Sequence, residues 1–183
     1  MRRLAVALIH YPVLDRQRAI VTTAITNLDL HDIARSAHTY GLTDFFVVHP
    51  ISAQRELALK VQEHWTSGSG ARRIPDRTPA MQALRVVREL DDAIAAMGGN
   101  VELWVTSAAE SEHALEHRSA RELLRTDGPP VLLAFGTGWG LADEVYARAA
   151  FRLEPIRSAR ADGYNHLSVR AAAAIIFDRL LSP

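Results

Sequence analysis

The chain has no cysteine in its 183 residues. Disulfides, thiolate metal sites and cysteine nucleophiles are therefore excluded. It has a single lysine, Lys60, so almost all of its positive charge is arginine. Basic and acidic residues, 21 of each, cancel to zero formal charge. No global basic field marks a nucleic-acid partner, and any such partner needs a local patch. No apolar run approaches the roughly 18–20 residues that span a bilayer. The opening MRRLAVALIHYP holds a short apolar run without a small-residue cleavage site, which reads as a first strand rather than a signal peptide. A cytoplasmic chain with no membrane partner is expected. Familiar nucleotide and hydrolase signatures are missing too: no G-x-G-x-x-G, no phosphate-loop lysine, no nucleophile elbow and no zinc-protease pattern. His31 and His38, or His113 and His117, could share a helix face, but no further ligand cluster accompanies them and no metal is expected.

What is present is ordinary for a globular protein, with 48% apolar and 23% charged residues. The length suits one domain over residues 1–183 with a core of its own. No repeat or low-complexity segment interrupts it.

Taken in order, residues 4–9 read as a buried strand, with His10 to Val13 as the loop that leaves it. Residues 20–26, rich in β-branched side chains, suit a short edge piece. Asn27 and Asp29 suit a helix start, with Ile33, Ala34, Ala37 and Tyr40 at helical spacing and Gly41 as the stop. DFFVVH at 44–49 is a second strand. Residues 53–65 read as a helix with Leu57, Val61 and Trp65 on one face, followed by a loop over 66–79. Leu84, Val87, Leu90 and Ile94 place one long helix over 80–96. A third strand at 101–106, a helix at 119–125, a fourth strand at 131–135 and a helix at 141–150 follow. Residues 151–156 are extended, 157–164 irregular, and 166–181 form the last helix. Alternating strands and helices imply an α/β fold with a mostly parallel sheet.

Three stretches carry chemistry. In PVLLAFGTGWGL (130–141) a doubly buried strand runs into Gly136, Gly138 and Gly140 around Thr137 and Trp139. Open α/β sheets bind ligands at such carboxyl ends, although a tight strand-to-helix turn accounts for the glycines equally well. In NLDLHDIARSAHTYG (27–41) Arg35 stands on a small, apolar face; pairing with an acid such as Asp32 is its structural alternative. In LEPIRSARADGYNHLSVR (153–170) a polar loop enters a helix through Asn165, His166, Leu167 and Ser168, of which Asn165 or Ser168 also suits an N-cap.

Together, in this order, these stretches resemble the SpoU-type branch of the SPOUT superfamily of S-adenosylmethionine-dependent RNA methyltransferases. Asn27, Ala34-Arg35-Ser36-Ala37 and Gly41 match its first motif, and Phe135-Gly136-Thr137-Gly138-Trp139-Gly140-Leu141 its second. Pro155-Ile156, then Asn165 to Val169 with Ala171 to Ala174, match its third. The wording is most similar to a compact bacterial branch of uncertain substrate. Thr137 stands where a glutamate is usual, and Tyr164-Asn165-His166 where Ser-Leu-Asn is usual.

The resemblance implies a Rossmann-like sheet with a C-terminal deep trefoil knot, a homodimer with 171–181 as an interface candidate, and an RNA substrate, tRNA or rRNA. S-adenosylmethionine would lie among three loops: Thr106, Ser107 and Ala108 to residue 109; Gly136, Thr137, Gly138, Trp139 and Gly140; and Ile156 and Arg157 through to Asn165, His166, Leu167 and Ser168. Leu133, Phe135 and Leu167 would wall the pocket. Arg35 would orient an RNA phosphate or the acceptor, and Asn165 or His166 would position the acceptor. Arg72, Arg73 and Arg77 would contact RNA, with a solvated loop as their alternative. Ribose and base both remain open as acceptors. Beside the enzyme stand a non-catalytic cofactor- or RNA-binding protein and a generic nucleotide-binding α/β protein.

Overall fold

The computed structural model describes residues 1–183. Eight strands are present: β1 Leu4–Ile9, β2 Val13–Leu14, β3 Ile20–Val21, β4 Phe45–Val48, β5 Leu84–Val87, β6 Glu102–Val105, β7 Val131–Gly136 and β8 Phe151–Arg152. Six form one sheet in the order β5-β4-β1-β7-β6-β8, and every pairing in it is parallel. β2 and β3 form a separate antiparallel hairpin.

Every residue of β1 and β4 is buried. Side chains alternate across a strand, so Leu4, Val6 and Leu8 join one hydrophobic layer while Ala5, Ala7 and Ile9 join the other. The first layer is covered by α1 Asn27–Thr39, α2 Ser52–Thr66, α6 His117–Arg125 and α8 Val169–Leu181. The second layer lies under α5 Leu90–Ala96, α7 Asp143–Ala147 and the hairpin. Helix α8 inserts Ala173, Ile176, Phe177 and Leu180, with the Phe177 ring edge-on to Phe135 at 6.0 Å. Asp44, at the start of β4, is buried. The hydrogen bonds from Arg3 and Arg85 outweigh its burial and hold its carboxyl below the usual range.

Several local expectations are corrected. The predicted helix over 80–96 is three elements: α4 Thr78–Gln82, strand β5, and α5. Leu84 and Val87 pair with Phe45 and Val48 of β4; a spacing of three fits a helix, but the β-branched pair Val86-Val87 is used to extend the sheet. A capping box between Glu89 and Asp92 starts the new helix. The predicted loop over 66–79 contains α3 Ser69–Arg73 and a 3-10 turn Pro75–Arg77. Its prolines sit in the first turn of short helices, where the missing N–H costs nothing. The helix at 141–150 shrinks to α7, because Leu141 is buried in a bridge to Val13. Helix α1 is capped by Thr26, whose hydroxyl accepts from the Asp29 N–H at 3.2 Å. Leu57 is exposed on α2, and the face turned inward carries Ala58, Val61 and Trp65.

Candidate functional site

Strand β7 ends between two parallel neighbours, with Gly136 opposite Ile9 of β1. A Cβ at Gly136 would lie 2.8 Å from the Leu141 nitrogen, so the chain can reverse this tightly only with glycine. Gly138 has φ +60°, and a Cβ there would meet the Leu14 carbonyl oxygen at 2.9 Å. The hairpin braces this turn directly: the Trp139 N–H donates to the Leu14 carbonyl at 2.9 Å, and the Leu14 N–H to the Gly140 carbonyl at 2.9 Å.

The loop after β6 leaves from the same end of the sheet, since Thr106 donates through both its N–H and its hydroxyl to the Ala134 carbonyl. Arg152 of β8 holds it by donating to the Ser107 hydroxyl and the Ala109 carbonyl, each at 2.8 Å. The third loop joins them through the Arg157–Glu110 ion pair at 3.2 Å. Asn165 closes that loop on itself, its Nδ2 donating to the Ile156 carbonyl at 2.6 Å. The structure therefore gathers the three predicted loops at one edge. The N–H groups of Ser107, Ala108, Ile156 and Leu167 have no backbone partner. Trp139 on the glycine turn and Leu167 on the third loop present exposed apolar side chains, at 63% and 43% of full exposure. Free donors and apolar walls together suit a flat heteroaromatic ring with acceptor nitrogens. Leu133 and Phe135 differ: both side chains are sealed in the core, so neither is presented to a ligand. His166 is exposed and stacks on Tyr164 at 6.4 Å.

Thr137 points into the fold. Its hydroxyl donates to the Ile9 carbonyl at 3.1 Å and also meets the Thr23 hydroxyl. Because each hydroxyl has one hydrogen, Thr23 must donate to Thr137 and accept from His10 Nδ1 at 3.1 Å. His49 completes the cluster. The Ile51 N–H donates to its Nδ1 at 3.1 Å, so its Nε2 carries the hydrogen and donates to the Thr23 carbonyl at 2.9 Å. His10 is fully buried, and its Nε2 has no partner. Burial, reinforced by neighbouring His49, lowers its pKa to about 4. Burial also lowers the pKa of His49.

Arg35 lies elsewhere on this side, lining a cavity of about 550 Å³ between α1 and α8 with Asp32, Ser36, Ser168 and Arg170. Asp32 and Asp29 pair with Arg170, at 3.3 and 3.2 Å, and Arg35 makes no ion pair or side-chain hydrogen bond. The Ser168 hydroxyl caps α8 by accepting from the Ala171 N–H at 3.3 Å. Arg35 and Ser168 are thus brought together, whereas no contact joins Arg35 to Asn165 or His166. Arg72 and Arg73 are exposed on α3, and Arg77 lies over the Trp65 ring at 4.6 Å. His10, Thr23, Asp29 and Arg170 escaped the sequence reading, because their roles depend on partners up to 141 residues away. No group of three or more metal-ligating side chains gathers in the molecule.

The family model of SAM-dependent RNA methyltransferases matches residues 3–182. A tRNA (guanine-N(1)-)-methyltransferase of Nitratidesulfovibrio vulgaris is 46% identical over 183 residues, 98% of this chain and 42% of that protein. The chain thus spans less than half the length of that relative. An uncharacterized protein of Aquifex aeolicus is 35% identical over 97% of this chain and 87% of its own length. Among solved structures, the SpoU methyltransferase AviRb from Streptomyces viridochromogenes superposes with a TM-score of 0.57 at 17% identity, covering 98% of this chain and 58% of that one. An AdoMet-bound rRNA methyltransferase from Sinorhizobium meliloti gives 0.57 at 17% identity, covering 97% and 55%. The parallel sheet with helices on both faces is thus the fold of the SpoU methyltransferases, and the chain belongs to the SAM-dependent RNA methyltransferase family.

Proposed function

We propose that this chain binds S-adenosylmethionine at the three-loop edge and transfers its methyl group to a nucleotide of RNA. The observation that carries this reading is that residues 106–109, 136–140 and 156–168 all leave from the carboxyl ends of adjoining strands and are tied together by Thr106, Arg152 and the Arg157–Glu110 pair, with unpaired N–H donors and the exposed Trp139 and Leu167 among them. Bound there, S-adenosylmethionine supplies an electrophilic methyl group on a sulfonium centre. The chain's part is alignment. The hairpin and the Thr137 hydroxyl hold the glycine turn, Arg152 holds the loop after β6, and Asn165 holds the third loop closed. Arg35, free of any acid, is available to a phosphate as a bidentate donor. The acceptor sheds a proton as it takes the methyl group, and the exposed His166 imidazole would receive that proton as a general base.

In this reading residues 1–183 act as one domain, the third loop and α8 thread the family's trefoil knot, and two copies pair through α8. A cytoplasmic location fits a tRNA or rRNA substrate, and no helix is long and apolar enough to cross a membrane. The guanine-N(1) activity of the N. vulgaris relative belongs to a protein more than twice as long as the matched region, so it does not select the acceptor atom here. One observation favours a second reading, a protein that binds cofactor or RNA without catalysis. Thr137, at the usual glutamate position, spends its hydroxyl inside the fold and no carboxylate replaces it.

Titration calorimetry with S-adenosylmethionine tests the cofactor site, and methyl incorporation into total RNA tests catalysis. Arg35→Ala is expected to cut the methylation rate roughly 100-fold with cofactor binding intact. Wild-type turnover in that variant would remove Arg35 from the acceptor site. Binding without methyl incorporation would leave the second reading standing.

A further inference from the structure

Helices α1 and α2 border an open surface depression of about 320 Å³, lined by Asn27, Lys60, Val61, His64 and Trp65. Three features set it apart. The first is its aromatic wall: the Trp65 ring meets His64 edge-on at 5.2 Å and His31 edge-on at 5.1 Å, and the Gly70 backbone packs against the Trp65 and His64 rings. The second is charge. The molecule is neutral as a whole, and ten of its 21 basic residues are paired with an acid, so what marks this face is the clustering of four unpaired cations within residues 60–77. Lys60, Arg72, Arg73 and Arg77 form no ion pair; the acids on their segments, Glu56, Glu63 and Asp76, engage none of them. The third is position: the depression is bordered by the first turn of α1, the helix that also carries Arg35. Arg77, Arg35 and His64 all lie near enough to His31 to help burial lower its pKa.

We infer that this depression takes an unpaired nucleobase of the RNA substrate against Trp65 and His64, while Lys60 and the arginines of 72–77 hold the flanking phosphates. This rests on the proposed RNA substrate and adds a site outside the three-loop edge. Stacking on aromatic rings accepts any base, and unneutralised cations beside the rings supply the backbone contact. The Asn27 amide can both donate to and accept from a base edge. Arg77, already seated over Trp65, adds a planar cation on which a base also stacks. An overall neutral chain can in this way grip a polyanion through one local face.

The test compares a fluorescein-labelled ten-residue oligouridylate with an abasic oligomer of equal charge, using wild-type protein. The expected preference for the base-bearing probe is roughly 5- to 100-fold. Trp65→Leu, checked for folding by its thermal transition, and the exposed-site variant His64→Ala should both shrink that preference. Arg72→Gln with Arg73→Gln should weaken both probes alike and flatten the salt dependence. Equal affinity for the two probes, no binding of either, or an unchanged preference in both aromatic variants overturns the inference. Displacement by poly-L-glutamate as effective as by RNA also overturns it, making the face a dock for acidic protein. Methyl incorporation and cofactor titration on the same preparations separate the two readings. RNA methylation without a base preference sinks only this site, and a base preference without cofactor binding sinks only the methyltransferase.

Discussion

His10 shows how one buried side chain couples the hairpin to the glycine turn. Its Nδ1 feeds the Thr23–Thr137 hydroxyl chain, and its Nε2 remains a buried, unpartnered acceptor. With a folded pKa of about 4 against 6.5 unfolded, the unfolded state binds the extra proton between these values. Stability therefore rises with pH through that window and is fully present above 6.5. The contribution is about 3 kcal/mol, and His10→Gln should remove about that much from the difference between urea melts at pH 7 and pH 4. Thr23→Val keeps the side-chain shape but strands the His10 Nδ1 donor and removes the hydrogen bond that the Thr137 oxygen accepts, while Thr137 still donates to the Ile9 carbonyl. It should cost about 1–3 kcal/mol in the same melt and weaken S-adenosylmethionine binding. An unaltered melt would mean that solvent replaces the lost bonds. None of this was legible along the chain, where His10 read only as the start of the loop that leaves the first strand.

At the scale of elements, the glycine turn and the entry to α8 carry the site. Gly138→Ala puts an L-residue at φ +60° and its Cβ against the Leu14 carbonyl. A loss of about 2 kcal/mol is expected, with cofactor affinity falling alongside it. Ser168→Ala removes the α8 cap and should cost about 1 kcal/mol in thermal unfolding; no change would mean that another group caps the helix. The turn was readable in advance because Gly136, Gly138 and Gly140 follow a doubly apolar strand. The stretch 80–96 was not, because Leu84, Val87, Leu90 and Ile94 satisfy helical spacing by themselves. Its first half becomes β5 only because β4 offers a free parallel edge.

For the whole molecule, β1 sits at the centre, paired with β4 on one side and β7 on the other. Both faces of these strands are buried, whereas β5 and β8 form the edges. Amide hydrogen exchange should be slowest in β1, β4 and β7, faster in β5 and β8, and fastest over 157–167. Uniform protection across the sheet would contradict a graded stability.

The sequence by itself determined the four buried strands, the alternating α/β pattern, the glycine turn and the family, because apolar periodicity and motif spacing are local in the chain. Tertiary structure alone decided which of the candidate residues meet. Arg170 rather than Arg35 took Asp32, since α8 packs across α1 and brings its guanidinium there. Thr137 turned inward because the segment after β3 supplies Thr23, 114 residues away. Leu133 and Phe135 entered the core because both faces of β7 are covered. Each outcome depends on contacts between distant segments, which no local pattern encodes.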